Sequence, residues 1–197
     1  MRGSMKVGAL AIAAALLLSG CTTDQFAQDY RDGGNKNYVA GDGSILEIPP
    51  AQRDKPIVFE GVSETGKAIS SADYLGRVLV VNFWAGYCAP CRVEAPMLEK
   101  LSTDWASKGA SFVGVNTYDE PATAQAFART YGVTYPSLID ADSGAAQLAF
   151  AGNVPPSALP TTIVLDSKGR VAARILGALE AASILDAIIK TVIAEDG

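Results

Sequence analysis

Two cysteines separated by two residues, Cys88 and Cys91, close the apolar run Val80-Val81-Asn82-Phe83-Trp84-Ala85-Gly86-Tyr87. One turn of chain brings both sulfurs within bonding reach at that spacing, and strain in so small a ring keeps the disulfide reducible. A helix beginning at Cys88, after a strong strand and before helix-forming residues, puts that thiol at the positive end of the helix dipole. A thiolate is favoured there at neutral pH. Cys91, one turn further in and more buried, is then the resolving thiol that attacks a mixed disulfide. The alternatives are a zinc half-site and a static bridge. Zinc wants four ligands, and the chain has no histidine and only one further cysteine, Cys21. A static bridge closing so short a loop adds little stability.

The elements that must position this pair fit into one domain. The chain has 197 residues, 49% hydrophobic and 19% charged, enough for one domain with a core and too few for two ordinary ones. Its net charge is −5, and loss of the first twenty residues removes Arg2 and Lys6 but no acid, leaving 14 basic against 21 acidic residues, or −7. That balance argues against a nucleic-acid partner.

Residues 1–20 read as a signal segment, in which Arg2 and Lys6 precede the uncharged stretch Val7 to Leu18. The stretch is too short for a stable spanning helix and suits a signal-peptide core. Met5 is an alternative start to Met1. Leu18-Ser19-Gly20-Cys21 resembles a bacterial lipobox, which implies lipidation of Cys21 as the first mature residue. The cysteine count agrees, because Cys21 is the odd one once Cys88 pairs with Cys91. An ordinary secretory cleavage with Cys21 incidental is the alternative. Residues 21–43 are polar and glycine-bearing and read as a tether, spanning on the order of 25 Å as a coil. Two acyl chains at the anchor give stable membrane attachment where one does not.

The folded domain is expected over residues 44–197. Ile57 to Glu60 and Lys67 to Ile69 flank Ser63-Glu64-Thr65-Gly66, a hairpin signal, and Val78 to Trp84 is apolar on both faces, as a buried strand flanked by helices should be. Met97, Leu98, Leu101 and Trp105 recur at helical spacing after Cys91 and are interrupted by Pro96, which predicts a kink. A strand over 111–117 follows, then a helix over 121–131 opened by Asp119 or Glu120 and stopped by Gly132, a strand over 135–140 and a helical piece over 143–150. Thr161 to Asp166 and Arg170 to Leu176 form a hairpin around Ser167-Lys168-Gly169. A last amphipathic helix, Glu180 to about Ala194, presents Ile184, Leu185, Ile188, Ile189 and Val192 to the sheet.

Trp84-Ala85-x-x-Cys88-x-Pro90-Cys91 followed by Pro96, then Leu159-Pro160-Thr161-Thr162 before a strand and hairpin, resembles the thioredoxin superfamily in its TlpA/ResA-like extracytoplasmic branch. The resemblance covers roughly residues 45–195. It implies an α/β fold of thioredoxin type: a central mixed sheet flanked by helices, an N-terminal β-hairpin and a helix/strand insertion between Pro121 and Asp140. It also implies that Pro160 is a cis-proline beside the cysteines, aiming the Leu159 backbone at an incoming peptide, although an isolated X-Pro bond is usually trans. Trp84, Tyr87, Leu159 and Thr161 are the substrate-facing residues it implies. The family's buried aspartate six residues before the first cysteine is here Asn82, which cannot titrate. Glu94, on the helix face of Cys91, matches a glutamate of this branch that takes part in the cysteines' proton chemistry. A partly desolvated carboxylate there has a raised pKa and can take the proton of Cys91 through a water. The alternative is a solvated helix glutamate.

By resemblance the chain is a thiol:disulfide oxidoreductase on the outer face of a bacterial membrane. It needs no cofactor or metal, exchanges with protein thiols and disulfides of secreted proteins or apocytochrome c, mainly reducing the disulfides, and draws electrons from a membrane donor of the CcdA/DsbD type. Two other readings remain: an oxidase that installs disulfides in secreted proteins, and a Cu(I)-binding metallochaperone with Cys88 and Cys91 as soft ligands. Ala89-Pro90 offers the thiolate no donor of the kind strong oxidants use, which favours the reductant. The anchor is directly testable: Cys21→Ala should move the protein from the membrane fraction to a soluble or unprocessed form. Unchanged fractionation would contradict lipidation of Cys21.

Overall fold

The computed structural model describes residues 45–153 and 158–196. The signal segment, Cys21 and the tether lie outside the described residues. Strand β4 (Val78–Trp84) is the spine, with all seven residues buried. Its side chains alternate between two apolar cores, Val78 and Val80 on one face and Leu79, Val81 and Phe83 on the other. This is why the sequence shows a continuous apolar run.

Around it lies a mixed six-stranded sheet in the order β1-β8-β7-β4-β5-β6. Its other strands are β1 (Ile45–Glu47), β5 (Ala110–Asn116), β6 (Ser137–Ile139), β7 (Thr161–Leu165) and β8 (Val171–Leu176). β4, β5 and β6 run parallel, and β7, β8 and β1 continue the sheet antiparallel. A separate hairpin pairs β2 (Glu60–Val62) with β3 (Ala68–Ser70). The helices are α1 (Ala89–Trp105), α2 (Pro121–Tyr131), α3 (Ala145–Ala149) and α4 (Ala182–Asp196).

Helices α1 and α4 cover one face of the sheet with Leu98, Leu101, Trp105, Leu185, Ile188, Ile189 and Val192. Each such side chain contributes about 1.5–3 kcal/mol when fully removed from water. The other face is covered by the short helix α3 through Ala146, by Phe150 at its end, and by Phe59 and Ile69 of the hairpin region. Phe150 meets Phe83 edge-on at 5.2 Å. Gly132 ends α2 in the left-handed region (φ 73°), as its position in the sequence implies.

Several boundaries differ from expectation for local reasons. The first hairpin strand is Glu60–Val62, not Ile57–Glu60, because Ser63 Oγ accepts the Thr65 and Lys67 amides and fixes a turn that carries pairing up to Val62 and Ala68. Ile57 instead donates its amide to the Gly169 carbonyl. The edge strand β1 carries no signal beyond its three apolar or acidic residues and exists because β8 offers a free edge. β6 is shorter than residues 135–140. α1 runs through Pro96 without a break in its assignment.

At the pole opposite Cys88 lies a buried ionic cluster. Arg53 donates to Asp166 (3.2 Å), to the Ile48 carbonyl (2.9 Å) and to Glu195, while Arg170 donates to Asp166 at 2.8 Å. Burial alone would raise the Asp166 carboxyl, but hydrogen bonds from the Arg170 amide and guanidinium and from Arg53 hold it below the ordinary value of 3.8. A depressed carboxylate adds stability above its unfolded pKa that is lost as pH falls through the folded one. Arg53→Ala leaves Asp166 and Glu195 short of a partner, so it should cost about 3 kcal/mol of unfolding free energy at pH 7. The deficit should shrink below about pH 4 in urea titrations, and a pH-independent loss under about 1 kcal/mol would contradict this account.

Candidate active site

The site forms where β4 ends and α1 begins. Backbone turns over at Ala85–Tyr87, closed by the Cys88 amide on the Ala85 carbonyl at 3.1 Å. Cys88 is the N-cap of α1, and its Sγ accepts the Cys91 amide at 3.2 Å. The two sulfurs are bonded, with Cα atoms 5.3 Å apart. Cys91 is 1% exposed and Cys88 6%, so the disulfide form keeps even the expected nucleophile largely covered, and the difference between the two is one of degree.

Three residues beyond Cys91 on α1, Glu94 is 1% exposed. It is not a solvated helix residue. Oε1 accepts from Asn82 Nδ2 at 2.9 Å and Oε2 from the Leu179 amide at 2.9 Å. Burial raises its pKa above the ordinary 4.5, and the Leu179 and Asn82 hydrogen bonds offset only part of that. Asn82 also donates to Thr162 Oγ1 at 3.1 Å, so it joins the carboxylate to the neighbouring strand. Tyr135, partly buried, has its phenol raised by desolvation first and then by the charges of Glu94 and Glu99. A small cavity is lined by Asn82, Cys91, Trp84, Ala95, Tyr135 and Ser137. Cys91 and Asn82, the residue that holds Glu94, thus line a common space.

The Leu159–Pro160 bond is cis. Leu159 is half-buried and packs against both the cysteine cluster and the core under β4. Tyr87 is 61% exposed and meets Tyr118, 69% exposed, edge-on at 5.1 Å. Trp84 and Thr161, expected to face a substrate, are both buried. Trp84 stacks on Phe127 of α2 with ring centroids 4.2 Å apart and donates to Ser137 Oγ at 3.2 Å. Gly114 makes that bond fit, since a Cβ there would lie 2.3 Å from Ser137 Oγ and 2.8 Å from Trp84 Nε1. Thr161 is fully buried, its hydroxyl donating to the Ala158 carbonyl at 2.7 Å.

Sequence reasoning missed four contributors. Asn82 was legible only as a lost carboxylate, although a lone polar residue inside an apolar strand signals a buried partner. Arg92 donates to the Gly86 and Tyr87 carbonyls at 3.0 and 2.9 Å, and Asp119 accepts the Gly86 amide. Tyr118 completes the exposed aromatic pair. Asn116-x-x-Asp119 spacing was the available signal for the Asp119 turn.

Residues 47–189 match the Redoxin family. The chain is 31% identical over 121 residues to the thiol-disulfide oxidoreductase ResA of Bacillus subtilis, covering 61% of this chain and 65% of that one. It is 41% identical over 104 residues to the thiol:disulfide interchange protein HelX of Rhodobacter capsulatus, covering 53% and 54%. The chain thus spans less than two thirds of the length of these curated relatives. A secreted thiol-disulfide isomerase from Corynebacterium glutamicum superposes with a TM-score of 0.70 at 31% identity, covering 82% of this chain and 99% of that structure.

A carboxyl whose folded pKa is raised favours folding fully below its unfolded pKa and loses that contribution as pH rises through the folded value. The stability of wild type relative to Glu94→Gln should therefore decline with rising pH across the Glu94 titration, above about pH 4.5. Paired urea titrations from pH 4 to 8 test this. A difference independent of pH would mean that Glu94 titrates as a free glutamate.

Proposed function

Because the chain belongs to the Redoxin family, within the thioredoxin superfamily, we propose that it exchanges disulfides with protein substrates through Cys88 and Cys91, acting as a reductant. The observation that carries this is the disulfide at the N-terminus of α1, with the buried Glu94 three residues further along the same helix. In the reduced protein the Cys88 thiolate attacks one sulfur of a substrate disulfide, and the first substrate sulfur leaves and takes a proton. Cys91 gives its proton to Glu94 and attacks the Cys88 sulfur. That step breaks the mixed disulfide, forms the Cys88–Cys91 bond and releases the second substrate sulfur as a thiolate. The pair gives the substrate two electrons; the first substrate sulfur takes its proton from solvent, and the second takes back the proton that Cys91 left on Glu94.

Geometry supports the division of labour. The N-cap position stabilises the Cys88 thiolate through the helix dipole and the Cys91 amide. A carboxyl with a raised pKa is a better proton acceptor near neutrality than an ordinary glutamate. The same negative charge close to the pair disfavours thiolates, which favours the disulfide and hence donation of electrons. Tyr87 and Leu159, beside the pair and the cis-proline, form the surface for an incoming peptide. Secretion, a lipid anchor at Cys21, residues 21–43 as the tether, apocytochrome c as substrate and a CcdA/DsbD-type electron donor complete the reading. The names of the relatives and the signal-like N-terminus support an extracytoplasmic setting.

In the reduced protein a limiting amount of alkylating agent should label Cys88 before Cys91. Cys88→Ala should abolish reduction of a disulfide-bonded model protein, and Cys91→Ala should accumulate a mixed disulfide at Cys88. Turnover by Cys88→Ala at the wild-type rate would refute the assignment.

A further inference from the structure

The turn before Cys88 is gripped by a residue outside the cysteine motif. Asn116, fully buried at the end of β5, accepts the Tyr118 and Asp119 amides on Oδ1 at 3.1 and 2.7 Å. Its Nδ2 donates to Asp119 Oδ2 at 2.8 Å, and the same oxygen accepts the Gly86 amide at 2.5 Å. The Thr117 amide closes the arrangement on the Trp84 carbonyl at 3.1 Å. Asp119 is not spent on capping the helix that follows, because Glu120 occupies the N-cap of α2 and its side chain makes no cap bond. Gly86 is matched to the carboxylate: a Cβ there would sit 3.1 and 3.2 Å from the two Asp119 oxygens.

We propose that Asp119 is a positioning residue that fixes the Gly86–Cys88 turn and, through its charge, makes the Cys88–Cys91 pair more reducing. The inference rests on the thiol:disulfide reading of the site. Two residues of chain span at most about 7 Å, so a carboxylate bonded to the Gly86 amide lies within about one Debye length of Cys88 at 0.1 M salt. Held by the Gly86 amide and by Asn116 Nδ2, with its own amide bonded to Asn116 Oδ1, it cannot swing away when a thiolate forms. Its charge opposes the thiolate and is indifferent to the neutral disulfide, so it shifts the equilibrium towards the disulfide. Arg92 faces the same turn with the opposite sign, but its guanidinium bonds are exposed to solvent and its charge is screened more.

Asp119→Asn keeps the shape and an acceptor oxygen while removing the charge. The experiment equilibrates wild type and Asp119→Asn with glutathione buffers from pH 6 to 9 and titrates Cys88 by its alkylation rate. The variant should show a lower Cys88 titration midpoint and a reduced-to-oxidised ratio about threefold higher at pH 9, a shift of about 15 mV, converging with wild type at pH 6. The pH dependence is a signature that a purely mechanical role does not produce. Asp119→Ser, which also removes the charge and keeps a short acceptor, should shift the ratio in the same direction and decides the matter if Asp119→Asn does not fold. Coincident curves, or an offset equal at every pH, would overturn the proposal while leaving the thiol:disulfide reading intact. A wild-type protein that shows no reversible dithiol–disulfide equilibrium would overturn both.

Discussion

A carboxylate buried without a cation is the constraint on which the site is built. Glu94 takes part in none of the ion pairs among the described residues, and two N–H donors satisfy it instead. Those donors come from β4 and from the segment entering α4, while Asn82 also engages β7. One side chain on the first turns of α1 thus binds the helix that carries the cysteines to three other parts of the fold. Neutral hydrogen bonds compensate a buried charge less fully than a cation does, so the carboxyl retains a raised pKa. A salt bridge would hold the same elements together but would leave the carboxylate a poor proton acceptor.

The insertion of α2 and β6 serves this end of the sheet as a brace. Phe127 and Ser137 take the Trp84 ring out of solvent, and the loop leading to α2 brings Asp119 onto Gly86. The turn that presents Cys88 is therefore held from the sheet side by Asp119 and from the helix side by Arg92. At the far pole Arg53, Asp166 and Glu195 join the segment after β1, the β7–β8 turn and the end of α4. Both poles use polar residues to lock connections that the apolar cores alone leave free to slide.

Much of this was legible in the residues because it depends on local rules. The apolar run of β4, the cysteine spacing, the α2 boundaries at Pro121 and Gly132 and the β7–β8 hairpin all follow from periodicity and turn chemistry. The Leu-Pro-Thr segment and Glu94 were legible by resemblance, and the burial of Glu94 then followed from its place on the α1 face. What stayed hidden depends on partners distant in sequence. Trp84 looked substrate-facing because its motif says nothing of Phe127, 43 residues on, and Thr161 was placed beside a substrate by resemblance, which says nothing of the Ala158 carbonyl that takes its hydroxyl. Asn82 read as a lost carboxylate until Glu94 appeared against it, and β1 could not be seen without the edge of β8.

The central claim is that Glu94 is a titrating carboxyl held out of water close to the disulfide. Side-chain carbon NMR of the oxidised protein, with Glu94 assigned by comparison with Glu94→Gln, follows that one carboxyl through pH. The account predicts a midpoint clearly above the ordinary glutamate value of 4.5. A midpoint at or below that value would mean that the carboxylate is stabilised as an ion, and the proton chemistry assigned to it would be contradicted.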